Sequence, residues 1–294
     1  MTTVRIATRG SAQARTQATA VGDALAAAVP GLVVEYVLVE TRGDANQSTP
    51  LHQMGGQGVF VKEVQRAVLD GRADIAVHSA KDLPSADAEG LVIAAFTERR
   101  SANDVLVGCG LAGLADGARV ATGSVRRRAQ LARVRPDLQF VELRGNIETR
   151  LSKVPDGGAV VMARAALEVL GLTHVIAEDI ALDVAVPMVG QGCVAVETRA
   201  GDDAVLAVVA AVDHAATRRA VETERAFLAE LGAGCSLPVA AHLSPDGVFR
   251  AFMAGNGESV QISGEVGSTE DHITVGRAAA DSCRRMLEGR SPRE

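Results

Sequence analysis

The residues best placed to do chemistry stand in RADIAVHSAKDLP, residues 72 to 84, where Lys81 and Asp82 follow a short apolar run and precede Pro84. Ala73 to Val77 has the composition of a buried strand, and the proline stops it. Ligands of α/β sheets gather outside the carboxyl ends of strands, so His78, Ser79, Lys81 and Asp82 fall where such sites are built. Adjacent side chains on an extended segment face opposite ways, so Lys81 and Asp82 are not expected to pair simply with each other. Read alone, the stretch is more often a solvated Lys-Asp turn before a proline, and the rest of the chain has to shift that reading.

A second group is basic. Between Arg119 and Arg150 there are eight arginines (119, 126, 127, 128, 133, 135, 144 and 150) against three acids, Asp137, Glu142 and Glu148, in a chain whose net charge is -6. That is a concentrated anion site. A solvated basic helix face accounts well for Arg128, Arg133 and Arg135, and less well for Arg126 and Arg127 on the first helical turn. The third candidate is Cys235 in LGAGCSLP, residues 231 to 238. Glycines flanking a loop cysteine expose its sulfur and make it a possible attachment point, although a buried loop cysteine fits as well.

These groups need elements to hold them. The chain opens with a strand at 4 to 8, then Arg9, Gly10 and Ser11, with Ser11 as N-cap of an Ala-rich helix reaching about Val29. An arginine at a helix N-terminus works against the helix dipole, which suggests an anion shared between Arg9 and the free amides. A strand at 32 to 40, a long Gly-containing loop at 41 to 58 of the kind that forms functional lids, and a helix lead to the strand at 73. After a strand at 91 to 96, the polar crossing ERRSAND leads into a second α/β region where the opening pattern recurs: strand 118 to 122, Gly123 and Ser124, then the helix VRRRAQLARV. Two such lobes facing one another bring both mouths onto one cleft. LRGN ends a further strand in Arg144-Gly145-Asn146; AVVMA at 159 to 163 is a buried strand and ALEVLGL a helix. VPMVGQGCVAVETR, 186 to 199, with Gln191 between glycines, reads as a return crossing into the first lobe. Helices at about 202 to 212 and 215 to 231, strand-like runs near 237 to 243, 247 to 254 and 259 to 266, and a helix at about 270 to 288 complete a small third domain.

Composition bounds the function. At 294 residues with 2% aromatics and no Trp, the core is aliphatic, which favours α/β layers over a nucleic-acid module that stacks bases on rings. The negative net charge argues against a general polyanion binder. No apolar run approaches the ~20 residues of a membrane span, and MTTVRIATRGS has no apolar signal-peptide core, so a cytoplasmic protein is expected. The cysteines at 109, 193, 235 and 283 lack zinc-site spacing; Cys109, Cys193 and Cys283 read as small buried hydrophobes. A phosphate-loop reading of GGQG or VGQG fails for want of the Lys-Ser/Thr ending.

IATRGS, GGQGVF, AVHSAKDLP, ATGSVRRRAQL, LRGNIETRLSK, VGQG and TERAFLAELGAGCSLPV, in that order over residues 4 to 240, resemble the porphobilinogen deaminase (hydroxymethylbilane synthase) family. The resemblance implies an α/β fold of two periplasmic-binding-protein-like lobes plus a small C-terminal α/β domain, with lobe 1 formed by 1–97 and 192–213, lobe 2 by 98–191 and the third domain by 214–294. It implies condensation of four porphobilinogen molecules into 1-hydroxymethylbilane with loss of ammonia, in haem and related pigment synthesis, on a dipyrromethane cofactor. Cys235 would hold that cofactor covalently and Asp82 would be the catalytic carboxylate, suited to proton transfer to the leaving amine and to stabilising cationic pyrrole intermediates. Carried over likewise, Ser79, Lys81, Thr122, Ser124, Arg126, Arg127, Arg144 and Gly145 would bind the cofactor. Arg9, Ser11, Arg150 and Gln191 would bind substrate, the arginines gripping acetate and propionate groups. No metal, nucleic acid or membrane is implied, and the expected state is a monomer.

The chain departs from the family pattern at Val169, where an arginine is common, and at Ala166, where a glycine is usual. Gln53 and Gln57 replace frequent lysines, Ser101-Ala102-Asn103-Asp104 replaces a more acidic crossing, and Gly232 replaces a glutamate. Val169 removes one possible carboxylate partner, for which Arg164 is the nearest substitute. The competing reading is a non-catalytic, binding-protein-like member that holds a carboxylated ligand in the arginine cleft; a secreted solute receptor is disfavoured by the absent signal peptide.

Overall fold

The computed structural model describes residues 3–41, 58, 60–232 and 238–289. Cys235, Gln53 and Gln57, and nearly all of the expected lid loop, lie outside the described residues. The first sheet is built from β1 (Thr3–Arg9), β2 (Val33–Val39), β3 (Ile75–Ser79) and β4 (Leu91–Phe96), with helices α1 (Ala12–Ala28) and α2 (Lys62–Leu69). The second contains β5 (Asp104–Gly108), β6 (Arg119–Ala121), β7 (Gln139–Val141), β8 (Ala159–Ala163) and β9 (Ile176–Asp179), with α3 (Val125–Val134), α4 (Ile147–Leu151) and α5 (Arg164–Val169). The chain then returns as β10 (Val194–Arg199) into the first sheet, followed by α6 (Asp203–Val209).

The two sheets share one plan. Their strand orders are β2-β1-β3-β10-β4 and β7-β6-β8-β5-β9. In each, the first three strands run parallel and the fourth is antiparallel to both its neighbours. The antiparallel strand is in each case the one fed by a crossing between lobes. That is the two-lobed, binding-protein-like α/β architecture. The third unit packs the sheet β11 (Val239–Leu243), β12 (Val248–Gly255) and β13 (Glu258–Glu265) against α7 (Ala215–Glu230) and α8 (His272–Glu288) around Phe227, Phe249 and Cys283.

Several expectations change. The polar crossing ends at Asp104, which already opens β5, and β9 is a further strand that its alternating exposure, half-buried then exposed, places at the sheet edge. The helix after β8 starts at Arg164, before the ALEVLGL run. Lys81 and Asp82 lie on a 3-10 turn, Ala80–Asp82, and not on extended backbone, so the argument that they face opposite ways does not apply. Cys193 and Cys283 are buried as expected, whereas Cys109 is only partly so. Among the described residues no helix is long and apolar enough to cross a membrane.

Candidate functional site

β3 is buried along Ile75–His78 and ends in the turn that presents Lys81 and Asp82. The turn is seated by Ala80 N–H donating to the Cys193 carbonyl (2.9 Å) and Leu83 N–H to the Ala80 carbonyl (3.2 Å). Ala80 and Leu83 sink into a core with Phe96, Cys193 and Val221. Directly against it runs the return crossing. Gly190, at φ +70, brings its backbone so close to Ala80 that a Cβ there would stand 3.0 Å from that residue. Gly192, at φ +86, lies against the other crossing, where a Cβ would stand 2.6 Å from the Arg100 carbonyl, and Arg100 N–H donates to the Gly192 carbonyl (2.9 Å). Both inter-lobe crossings therefore pass beneath the turn.

Across the cleft, the charges of Arg127, Arg150 and Asp104 in the second lobe act on Lys81 in the first. Burial draws the Lys81 ammonium below its ordinary value, Asp82 opposes that, and the two arginines reinforce it. Arg150 is lowered to about 10, chiefly by burial and then by the charges of Arg127 and Arg144, with Asp82 opposing. Asp82 thus stands in the field of Lys81 and Arg150, a carboxylate from one lobe among cations of both. Such a cleft suits a ligand that brings several carboxylates and develops positive charge near one fixed anion.

The organising ion of the second lobe is Asp104, which is fully buried. It accepts from Arg127 Nη2 at 2.7 Å, Arg126 Nη2 at 2.8 Å and Gln191 Nε2 at 2.8 Å. Burial alone would raise its carboxyl pKa, but the two guanidiniums outweigh that and hold it far below the usual carboxylate range. Arg126 also donates to the Val186 carbonyl (2.7 Å) and Arg127 to the Val161 carbonyl (3.0 Å). The Nε groups of both arginines are buried without a partner.

The remaining expected residues divide by what they touch. Ser11 caps α1, accepting from Ala14 N–H (3.3 Å), and Ser124 caps α3, accepting from Arg127 N–H (3.4 Å), while the Thr122 hydroxyl accepts from Ser124 N–H (3.2 Å). Ser79 donates to Gln17 Oε1 (3.0 Å), and the Arg9 guanidinium lies 4.1 Å over the Phe60 ring. Arg150 Nε donates to the Gly145 carbonyl (2.8 Å), tying the two ends of the Arg144–Arg150 segment. Gln191 is buried, its amide donating to Asp104 and to the Ala102 carbonyl (2.6 Å), so in this structure it joins the two crossings. Arg164 does not stand in for the arginine absent at Val169: its guanidinium is paired with Glu168 (2.9 Å) and with Asp179 on β9. Arg135 and Arg133 are also more than a solvated face. Arg135 grips Asp137 (2.7 Å) and the Leu111 carbonyl (2.9 Å), and Arg133 reaches Gln261 of the third unit (2.6 Å).

A second buried carboxylate, Glu224 of α7, joins the crossings to the third unit. It accepts from Arg99 (2.5 and 3.1 Å), from Gly190 N–H (2.8 Å) and from Leu243 N–H (3.0 Å). Neither Asp104 nor Glu224 stood out in the sequence. The available signal was an acid opening an apolar run beside an arginine-rich segment. Among the described residues no cluster of His, Cys, Asp and Glu could hold a metal ion.

Residues 4–207 match the family model described as porphobilinogen deaminase, dipyromethane cofactor binding domain, and residues 218–282 match that of the porphobilinogen deaminase C-terminal domain. The chain is 45% identical over 287 residues to a porphobilinogen deaminase of Roseiflexus sp. (strain RS-1), covering 95% of each protein. It is 43% identical over 289 residues to that of Moorella thermoacetica, covering 95% of this chain and 92% of the relative.

Proposed function

The chain belongs to the porphobilinogen deaminase family, and from that premise we propose that it is the hydroxymethylbilane synthase that joins four porphobilinogen molecules head to tail, one ammonia leaving at each step. The observation that carries the reading is the pair of buried arginines Arg126 and Arg127, held on Asp104 with one N–H each left without an acceptor, beside Lys81 and Arg150, which feel the Arg127 charge. Each pyrrole unit bears an acetate and a propionate, and a cleft with more cations than carboxylates complements them.

The residues present fit the dipyrromethane cofactor. Arg126 and Arg127 each keep one buried N–H without a partner, and a ligand carboxylate is the acceptor such groups ask for. In this reading Cys235 is the attachment point, and Ser79, Lys81, Thr122, Ser124, Arg126, Arg127, Arg144 and Gly145 hold the group. When bound, it supplies the pyrrole carbon on which the product chain is built. In the same reading Asp82 donates or takes a proton at the departing amine and faces the positive charge that develops on pyrrole nitrogen. Arg9, Ser11 and Arg150 bind the incoming substrate's side chains. Gln191 acts through Asp104. The working parts are 1–97 with 192–213, 98–191 and 214–294, in a cytoplasmic monomer, and support for these divisions and for that state comes from the family resemblance.

The test is intact mass under denaturing conditions beside turnover of porphobilinogen. Wild type is expected to carry the increment of two linked pyrroles, Cys235→Ser none, and Asp82→Asn the increment with little turnover. A wild type that stays unmodified after incubation with porphobilinogen, yet still binds a carboxylated ligand, would favour the non-catalytic alternative.

A further inference from the structure

We propose that Arg225, on the third-unit helix α7, is a positioning residue for the turn that carries Asp82; the inference rests on the catalytic role assigned to that carboxylate. The turn has little backbone bonding of its own, because it is three residues long and Pro84 follows without an N–H. Three side chains of α7 hold it. Val221 packs into the core formed with Ala80 and Leu83. Glu224 accepts from the Gly190 amide, whose residue lies against Ala80 and the Lys81 nitrogen.

Arg225, one helical turn beyond Val221, donates from Nη1 to the Pro84 carbonyl (2.8 Å) and from Nη2 to the Ser85 carbonyl (3.3 Å) and to Asp87 Oδ1 (2.9 Å). Its side chain is only 12% exposed, so these bonds are sheltered along most of their length, while Asp87 is 60% exposed and contributes less. A guanidinium reaches two successive carbonyls from two nitrogens of a rigid planar fork and so fixes the direction in which the chain leaves the turn; an ammonium, with one nitrogen on a flexible stem, holds them with less directional constraint. Val221, Glu224 and Arg225 thus tie the turn to one rigid helix of the third unit.

The experiment compares Arg225→Ala and Arg225→Lys with wild type, using protein shown by intact mass to carry the cofactor increment. Arg225→Ala is expected to lower kcat roughly 10- to 100-fold, the order of loss that accompanies a misplaced catalytic group, with KM within about threefold. Added ethylguanidinium restores part of the rate, and ethylammonium does not. Hydrogen exchange rises in the 80–87 segment and stays unchanged in β11, β12 and β13. Arg225→Lys, which keeps the charge and stem, decides the matter if the alanine variant does not fold: it should lose part of kcat and show the same local exchange. Wild-type kcat in either cofactor-loaded variant, a rise in KM alone, or exchange raised throughout the third unit overturns the proposal. Arg277→Ala, at an exposed arginine on α8, is the control that leaves kcat unchanged. If wild type itself turns over no porphobilinogen, the functional reading fails; exchange at 80–87 still reports whether Arg225 holds the turn.

Discussion

Replacing Glu224 by Gln removes a negative charge around which four partners are arranged. The carboxylate has no exposure and accepts from Arg99, from the Gly190 and Leu243 amides, and from His242 Nδ1 at 3.2 Å. Burial alone would push its pKa up; the Arg99 charge and the His242 hydrogen bond outweigh that and bring it from 4.5 to about 2. At ~1.4 kcal/mol per pH unit, the difference corresponds to ~3 kcal/mol of native-state stability. Removing one partner of a buried pair costs about 3 to 5 kcal/mol, so two independent routes agree. Because the folded value is depressed, this stabilisation is present above the unfolded value near 4.5 and is lost as pH falls toward about 2. Urea unfolding should show Glu224→Gln ~3 kcal/mol less stable than wild type at pH 7, and the gap should shrink by on the order of 1 kcal/mol at pH 3.5. A gap under about 1 kcal/mol at pH 7, or one that does not change with pH, refutes the reasoning.

Asp104→Asn leaves two buried guanidiniums facing one neutral amide, so stability should fall by about 3 to 5 kcal/mol and KM should rise as Arg126 and Arg127 lose their orientation; an unchanged KM contradicts the role given to Asp104. Gly190→Ala and Gly171→Ala both place a side chain at positive φ, +70 and +67, which costs about 1 to 2 kcal/mol, but only at Gly190 is the space taken, and only there should kcat fall. Burial pushes the Cys193 thiol up to about 12 and that of Cys283 to about 11, so at pH 8 neither should react with a disulfide reagent until the protein is unfolded; rapid labelling of Cys193 in native protein would sink the packing described around it.

Much of the architecture was legible because it is written in local repetition. IATRGS and VATGSV each encode a strand, a turn and a capped helix, and each folds that way with Ser11 and Ser124 as caps. The return of 194–199 to the first sheet was legible from an apolar run behind a glycine-flanked crossing. The two missed strands lacked such marks. β5 is a five-residue run entered from a polar segment, and β9 is four residues at an edge, too short for a period to declare itself. The site divides in the same way. Lys81 and Asp82 follow from a strand's end, a local fact. Asp104 matters because Arg126, Arg127 and Gln191, from 22 to 87 positions away, converge on it, and no window of sequence shows that.

Reading the arginines as ligand groups also left out what they do without a ligand. A cluster of buried cations needs an internal anion, and Asp104 and Gln191 meet that need before any substrate arrives. The compensation is partial. Burial and the charges of Arg127 and Arg144 still draw Arg150 down to about 10, and two buried N–H groups go unused. A carboxylate bound among these cations would be expected to relieve that repulsion. The Asp82 charge acts on Arg150 in the opposite sense to those arginines. On the proposed function, the cations that would receive the ligand's carboxylates also surround Asp82, so a change at Arg127 or Arg150 is expected to alter both ligand affinity and turnover.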